Sequence, residues 1–274
     1  MDKPMRHLDA AAYDTDKASL AHYLRNYEKY FAPFLEKEIK LLELGVFKGG
    51  SLLMWRDFFE KGTIVGLDIK PCALEDATGR IRLYQGSQDD IALLDRIALE
   101  NAPEGFDIII DDCSHMGELT RISFWHLFRH HLRPGGIYAI EDWGTGYWGS
   151  WPDGKRYRPP RRPSVSYRLV SVLLRTIERA TGRKVGARWE RRLRKPSFYK
   201  QRFPSHDYGM VGFVKELIDE AGMGDITHPG VGAGVFRPSL FLSTHISHSH
   251  VIIEKARETD RSEARNPGMG PEAI

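Results

Sequence analysis

Residues 106–115, FDIIIDDCSH, carry the reading that decides the fold. The apolar part of this stretch is β-branched and uninterrupted, without the alternation of a half-exposed strand. It therefore predicts a strand buried on both faces, as in a parallel sheet covered by helices. The run ends on Asp111, Asp112 and His115, and a second run of the same kind, GIYAIEDW, ends on Glu141 and Asp142. In an open α/β sheet, ligands bind at the carboxyl edge of the strands. The two acidic ends therefore converge there, and crowded carboxylates are costly unless a cation neutralises them.

Working outward, IKLLELGV leads through the turn FKGGS into SLLMWRDFF, and TIVGLDIK ends at Asp68. RIRLYQGS follows, then FDIIIDD, a helix carrying Leu119, Ile122, Trp125 and Phe128, and the turn RPGG before GIYAIED. This alternation predicts an α/β fold, a doubly wound Rossmann-like sheet with helices on both faces. A helix is expected near 211–221, and SLFLSTH and HVIIEK are expected to pair antiparallel at one edge. The organisation that follows is a helical cap over 1–40 with an amphipathic segment from Leu20 to Leu35, a binding core over 41–148, a basic lid insertion over 149–206, the end of the core over 207–256, and a polar tail over 257–274 expected to be disordered.

The 274 residues, 41% hydrophobic, are ample for one packed domain with decorations. No segment has the apolar core of a signal peptide or a spanning run of about 18 residues, so a soluble, cytoplasmic protein is expected. Cys72 and Cys113 form no C-x-x-C pair, which argues against a disulfide framework or a thiolate zinc site. The net charge of +3 conceals a segregation: between Lys155 and Arg202 there are 17 Lys or Arg against Glu178 and Glu190. Within it, YRLVSVLLRTIERATGRK places apolar Val170, Leu173, Leu174 and Ile177 on one helical face among arginines. Three uses fit: a solvated, oligomer-facing lid helix, a peripheral membrane contact through 164–202, or arginines for a phosphorylated acceptor. Nucleic acid fits this stretch less well.

The turn ELGVFKGGS places Glu43, Gly45, Gly49, Gly50 and Ser51 between a strand and a helix, where glycine permits close approach and free amides face a ligand. Asp68, 25 residues after Glu43, closes the next strand, where a carboxylate accepts both ribose hydroxyls of an adenosine cofactor. The spacing is not the G-x-G-x-x-G of a dinucleotide site. An acid two residues before the first glycine instead resembles the first motif of class I S-adenosylmethionine methyltransferases.

Asp112, Glu141 and Asp142 offer oxygen ligands only, which suits Mg²⁺ or Ca²⁺. His115, three residues after Asp112, is the candidate general base. Asp111, pointing to the other side of its strand, is expected in a cofactor or structural hydrogen-bond role. His126, His130 and His131 fall on a charged helix and are expected to be solvated.

Together these residues resemble the metal-dependent O-methyltransferases that modify sugars of macrolides such as mycinamicin and tylosin, to which cephalosporin-modifying methyltransferase-like proteins are related. The family pattern is met by Thr15–Lys17, His22 and Tyr23, Glu43–Ser51, Asp111–His115 and Ile140–Asp142. The resemblance covers roughly 13–148 and, more weakly, 207–255. It implies that Asp112, Glu141 and Asp142 hold Mg²⁺, that His115 is the base, and that Glu43, Gly45, Asp68 and Gln88 line an S-adenosylmethionine site. Catechol methyltransferases share the layout. Cys113 departs from the glycine of D-D-G-S-H, and His245–Ser247 from the family's H-F-Y, so substrate contacts there are expected to differ. The resemblance implies a small-molecule or glycolipid sugar acceptor, and we further expect a homo-oligomer. The rival classes are a catechol-like acceptor, a nicotinamide oxidoreductase and a non-catalytic membrane-associated module.

Overall fold

The computed structural model describes residues 7–19, 21–158, 176, 179–180, 182, 205–228, 230 and 235–265. Among the described residues seven strands, β1 (Lys40–Leu44), β2 (Thr63–Asp68), β3 (Ile81–Gln85), β4 (Phe106–Asp111), β5 (Leu132–Glu141), β6 (Phe241–Ser247) and β7 (His250–Lys255), form one sheet. Its order is β3-β2-β1-β4-β5-β7-β6. The strands from β3 to β5 are parallel, while β7 runs antiparallel to β5 and β6 antiparallel to β7. The doubly wound sheet and its antiparallel edge match the sequence expectation.

The helices are α1 (Ala21–Phe31), α2 (Gly50–Phe58), α3 (Ile91–Asn101), α4 (Gly117–His130), α5 (Gly209–Ala221), α6 (Met223–Ile226) and α7 (Glu258–Arg265). Strand β4 shows why both faces must be covered. Ile109 joins Leu42, Phe124, Tyr138 and Phe213 on one side, whereas Ile108 and Ile110 join Tyr27, Phe31, Trp55 and Phe59 on the other. All three isoleucines are fully buried, each contributing roughly 1.5–3 kcal/mol. The same alternation carries past the strand, so consecutive acids at its end face opposite layers.

The switch in strand order falls between β1, which leads outward to β2, and β4, which leads to β5. The loops after these strands open a crevice at the carboxyl edge. Gly45 (φ +89°) stands here because a Cβ would lie 2.0 Å from the Asp112 carbonyl oxygen. The close approach this glycine permits is thus to the β4 loop.

Two expectations need qualification. The tail from residue 257 was expected to be disordered, but α7 occupies Glu258–Arg265, with the Asp260 carboxylate accepting from Arg257 N and an Arg261–Glu258 pair at 3.6 Å. Polarity alone misled there, because a cap and ion pairs support a polar helix. Most of the basic helix expected within 164–179, the rest of the lid to residue 204 and the tail beyond 265 lie outside the described residues. The start of the insertion is described: Asp153 Oδ2 accepts from both Gly117 N and Met210 N at 2.8 Å, capping the first turns of α4 and α5.

Candidate active site

A cavity of about 800 Å³ opens at the crevice. Of the cofactor candidates, Gly45, Ser51, Asp68 and Gln88 line it, as do Asp112 and His115. Asp68 Oδ2 accepts from Val46 N at 2.8 Å and Phe47 N at 2.9 Å, and Oδ1 from Lys70 N at 2.8 Å. These amides outweigh burial and hold its carboxyl below the usual range. Asp68 thereby fixes the glycine turn while facing the cavity.

Glu43, Gly49 and Asp111 are not among the residues that line the cavity, and of its two expected roles Asp111 takes the structural hydrogen-bond one. Glu43 is fully buried and its Oε2 accepts from Ser51 Oγ at 2.9 Å. Asp111 lies on the opposite layer, where Oδ2 accepts from Ser123 Oγ at 3.0 Å and from Gln88 Nε2 at 3.3 Å. Burial pushes its carboxyl up to about 7. Gln88 Oε1 in turn accepts from Ser114 N at 3.0 Å. Asp111 therefore acts through Gln88 to hold the loop that presents His115.

Three ligand-type side chains converge at this edge: Asp112, His115 and Asp142. His115 Nε2 lies 3.9 Å from Asp112 Oδ1 and 4.0 Å from Asp142 Oδ2. The His115 ring meets Trp151 edge-on with centroids 5.1 Å apart. His115 and Asp142 both adopt left-handed backbone, with φ of 51° and 55°. That conformation is uncommon outside glycine and tends to collect at functional sites.

Glu141 is placed differently from Asp142. It closes β5 with its side chain buried, and Oε1 takes the Tyr27 hydroxyl and the Lys17 ammonium, the latter at 2.8 Å. Among the described residues it is outside the three-residue cluster. The physical reason is that Asp142 turns out of the strand through its left-handed backbone while Glu141 keeps the strand's alternation.

Lys17 is the residue whose role sequence reasoning missed. It is 1% exposed, and its ammonium lies 2.6 Å from Asp112 Oδ2, 2.8 Å from Glu141 Oε1 and 3.5 Å from Glu43 Oε1. One ammonium thus faces three carboxylates, with Glu43 and Glu141 buried and Asp112 at the cavity wall, and Glu43 Oε1 has no hydrogen-bond partner. Burial and Glu141 push Asp112 up to about 7 against the pull of Lys17 and His115, and burial pushes Glu43 up to about 7. The T-D-K motif was visible as a signature, but nothing local to it predicts burial beneath β1, β4 and β5. Tyr23 likewise lies 2.7 Å from Asp142 Oδ1 and from Ser249 O, one hydroxyl facing two acceptors.

The donor set fits a hard divalent cation: an oxygen from each of Asp112 and Asp142 converges beside His115, in a pocket with a surplus of negative charge. A parallel sheet with an antiparallel edge and a cavity at its switch point defines the class, a Rossmann-like methyltransferase fold.

No protein-family model matches the chain. The mycinamicin VI 2''-O-methyltransferase of Micromonospora griseorubida is 39% identical over 177 residues, 62% of this chain and 43% of that protein. A tetracenomycin-C rhamnosyl 3'-O-methyltransferase of Streptomyces olivaceus is 30% identical over 273 residues, 97% of this chain and 56% of that protein. A solved methyltransferase of the mycinamicin pathway, in complex with Mg, SAH and mycinamicin VI, superposes with a TM-score of 0.61 at 30% identity, covering 92% of this chain and 55% of that one. The chain spans about half the length of the curated relatives it matches. By sequence and by fold, this chain is similar to sugar O-methyltransferases, as its motifs led us to expect.

Proposed function

We propose that this chain is an S-adenosylmethionine-dependent O-methyltransferase whose acceptor is a sugar hydroxyl of a glycosylated small molecule. The observation that carries it is the meeting of a nucleoside-type cavity, bounded by the glycine turn and Asp68, with the Asp112, His115 and Asp142 cluster. The relatives named above methylate 2''- or 3'-oxygens of glycosides, and the solved one carries Mg and SAH. Asp68 would meet the ribose hydroxyls, and Gln88 and Ser51 would line the cofactor's path, a reading supported by their lining of the cavity.

Asp112 and Asp142 would hold Mg²⁺, with Glu141 adjacent and engaged by Lys17. When bound, the ion supplies charge that favours an ionised hydroxyl and orients vicinal oxygens. His115 Nε2 takes the acceptor proton as the sulfonium S–CH₃ bond breaks and the O–CH₃ bond forms, leaving S-adenosylhomocysteine. The carboxylates beside Nε2 stabilise the resulting imidazolium. Trp151 screens the imidazole, and positioning of the two reactants supplies much of the acceleration.

The test is methyl transfer from S-adenosylmethionine to a panel of demethylated glycosides, followed by mass spectrometry. His115→Gln is expected to lower kcat by about 10²–10⁴-fold while S-adenosylmethionine affinity, read by calorimetry, stays within a few fold. Unchanged kcat would remove His115 from the chemistry. NAD binding in place of S-adenosylmethionine would overturn the proposal.

The proposal extends to a glycolipid acceptor and a peripheral membrane contact through 164–202, supported by charge segregation, and to a cytoplasmic homo-oligomer. Among the described residues no helix is long and apolar enough to cross a membrane. Co-sedimentation with phosphatidylglycerol vesicles and light scattering test these extensions, and loss of sedimentation when the arginines of this stretch are replaced is the expected result.

A further inference from the structure

Outside the cavity, Asp95 on α3, His126 on α4 and His131 just past the end of α4 form a second convergent group. His126 Nε2 lies 2.7 Å and His131 Nε2 2.6 Å from the same oxygen, Asp95 Oδ1. The two rings pack edge-on, with centroids 5.2 Å apart at 60°, so each imidazole restrains the other. Their side chains are only 17% and 16% exposed, against 45% for Asp95. This corrects the expectation that these two histidines are merely solvated, since both turn inward on one carboxylate.

We propose that Asp95, His126 and His131 bind a first-row divalent cation of the Zn²⁺ type, separately from the hard-cation site in the cavity. Two imidazoles and one carboxylate form a borderline donor set, which favours Zn²⁺, Co²⁺ or Ni²⁺ over Mg²⁺. Metal–nitrogen and metal–oxygen bonds of about 2.0–2.2 Å place tetrahedral ligand atoms roughly 3.3 Å apart. The three donor atoms already lie within 4.8 Å of one another. The Asp95 contacts need to open by only about 0.6 Å to reach that geometry, and Asp95, the most exposed of the three, has room to move. Each imidazole would coordinate through Nε2 with its proton on Nδ1. Water completes the shell, or the exposed His130, whose ring centroid is 5.2 Å from that of His126.

The location gives such an ion a consequence. Helix α3 follows the loop bearing Gln88, and α4 follows the loop bearing His115, and Gln88 joins the two loops through Ser114 N. A cation shared by the two helices clamps the frame that holds the base.

The experiment is titration of the full chain, saturated with Mg²⁺, with Zn²⁺ by calorimetry and with Co²⁺ by visible absorption, alongside thermal melts. One Zn²⁺ per chain is expected in excess Mg²⁺, with a raised melting midpoint and a tetrahedral Co²⁺ spectrum. His126→Ala and His131→Ala should each weaken Zn²⁺ binding at least tenfold, and Asp112→Asn should leave it unchanged. Should an alanine variant fail to fold, His126→Gln and Asp95→Asn serve instead. No Zn²⁺ uptake by the Mg²⁺-saturated protein, or uptake lost in Asp112→Asn and kept in the histidine variants, overturns the proposal.

Discussion

Asp112, His115 and Asp142 at the sheet edge and Asp95, His126 and His131 on the helices are groups of three built from the same two residue types, yet their surroundings make them chemically opposite. The first group sits on loops leaving β4 and β5, two of its members in left-handed backbone, among buried carboxylates that share one ammonium. Burial, with neighbouring Glu141, pushes Asp112 up to about 7. The second group sits on and beside regular helices, and its two imidazoles hold the Asp95 carboxyl below the usual range. Side-chain identity sets which ions a group can take; position in the fold sets how strongly it needs one.

The comparison breaks most severely at Lys17. Lys17→Met removes the cation from among Glu43, Asp112 and Glu141 and should cost about 3–5 kcal/mol of stability, read from the shift in urea midpoint. Near-parental stability would mean that the carboxylates are protonated in the folded chain and that the charge argument is wrong.

His250 offers a test through pH. It is fully buried beside Tyr23 and Tyr27, and burial, with the Lys17 ammonium, pushes its imidazole down to about 3. The unfolded chain protonates near 6.5, so it binds the extra proton between about 6.5 and 3. Stability from this group is therefore present above 6.5 and lost as pH falls, by about 1.4 kcal/mol per pH unit. His250→Asn should flatten the acid limb by one proton relative to the parent. Buried Asp111 and Glu43 and the cavity-lining Asp112, pushed upward, have the opposite dependence and cancel in that difference. An unchanged limb would mean that His250 titrates normally.

A smaller effect is expected at Tyr27, whose hydroxyl donates to buried Glu141. Tyr27→Phe should cost about 1–3 kcal/mol, measured by denaturation, and stability equal to the parent's would show that Lys17 alone satisfies Glu141. Smallest is Asp95→Asn without added transition metal, expected to stay within about 1 kcal/mol of the parent because the pair is partly exposed and screened. A larger loss would make this group a structural element in its own right.

Much of the fold was legible because burial on both faces leaves its mark on sequence. The runs of β4 and β5 are β-branched and unbroken, and the acids that close them are local neighbours in the chain. Asp112, His115 and Asp142 could be nominated together for that reason. Glu141 could not be separated from Asp142 by pattern, since the division depends on a left-handed turn at residue 142. Position puts Glu43 at the cofactor and leaves Asp111 either there or in a structural hydrogen bond, whereas side-chain direction takes both off the cavity lining. The α7 helix was missed because its polarity resembles that of a disordered tail, and the ion pair and cap that support it become visible only as contacts.

The sequence by itself determined the parallel sheet and its acidic carboxyl edge, and with them the oxygen donors of the proposed cation site. Hydrophobic period and strand-end chemistry are local, and each residue carries its own part of that signal. Tertiary structure alone decided that Lys17 lies 95 residues away in sequence but 2.6 Å away in space from Asp112, and that α3 and α4 bring Asp95 against His126 and His131. Those partners are joined by packing across the sheet and between helices, and no short-range period in the chain encodes which distant charge will be buried against which.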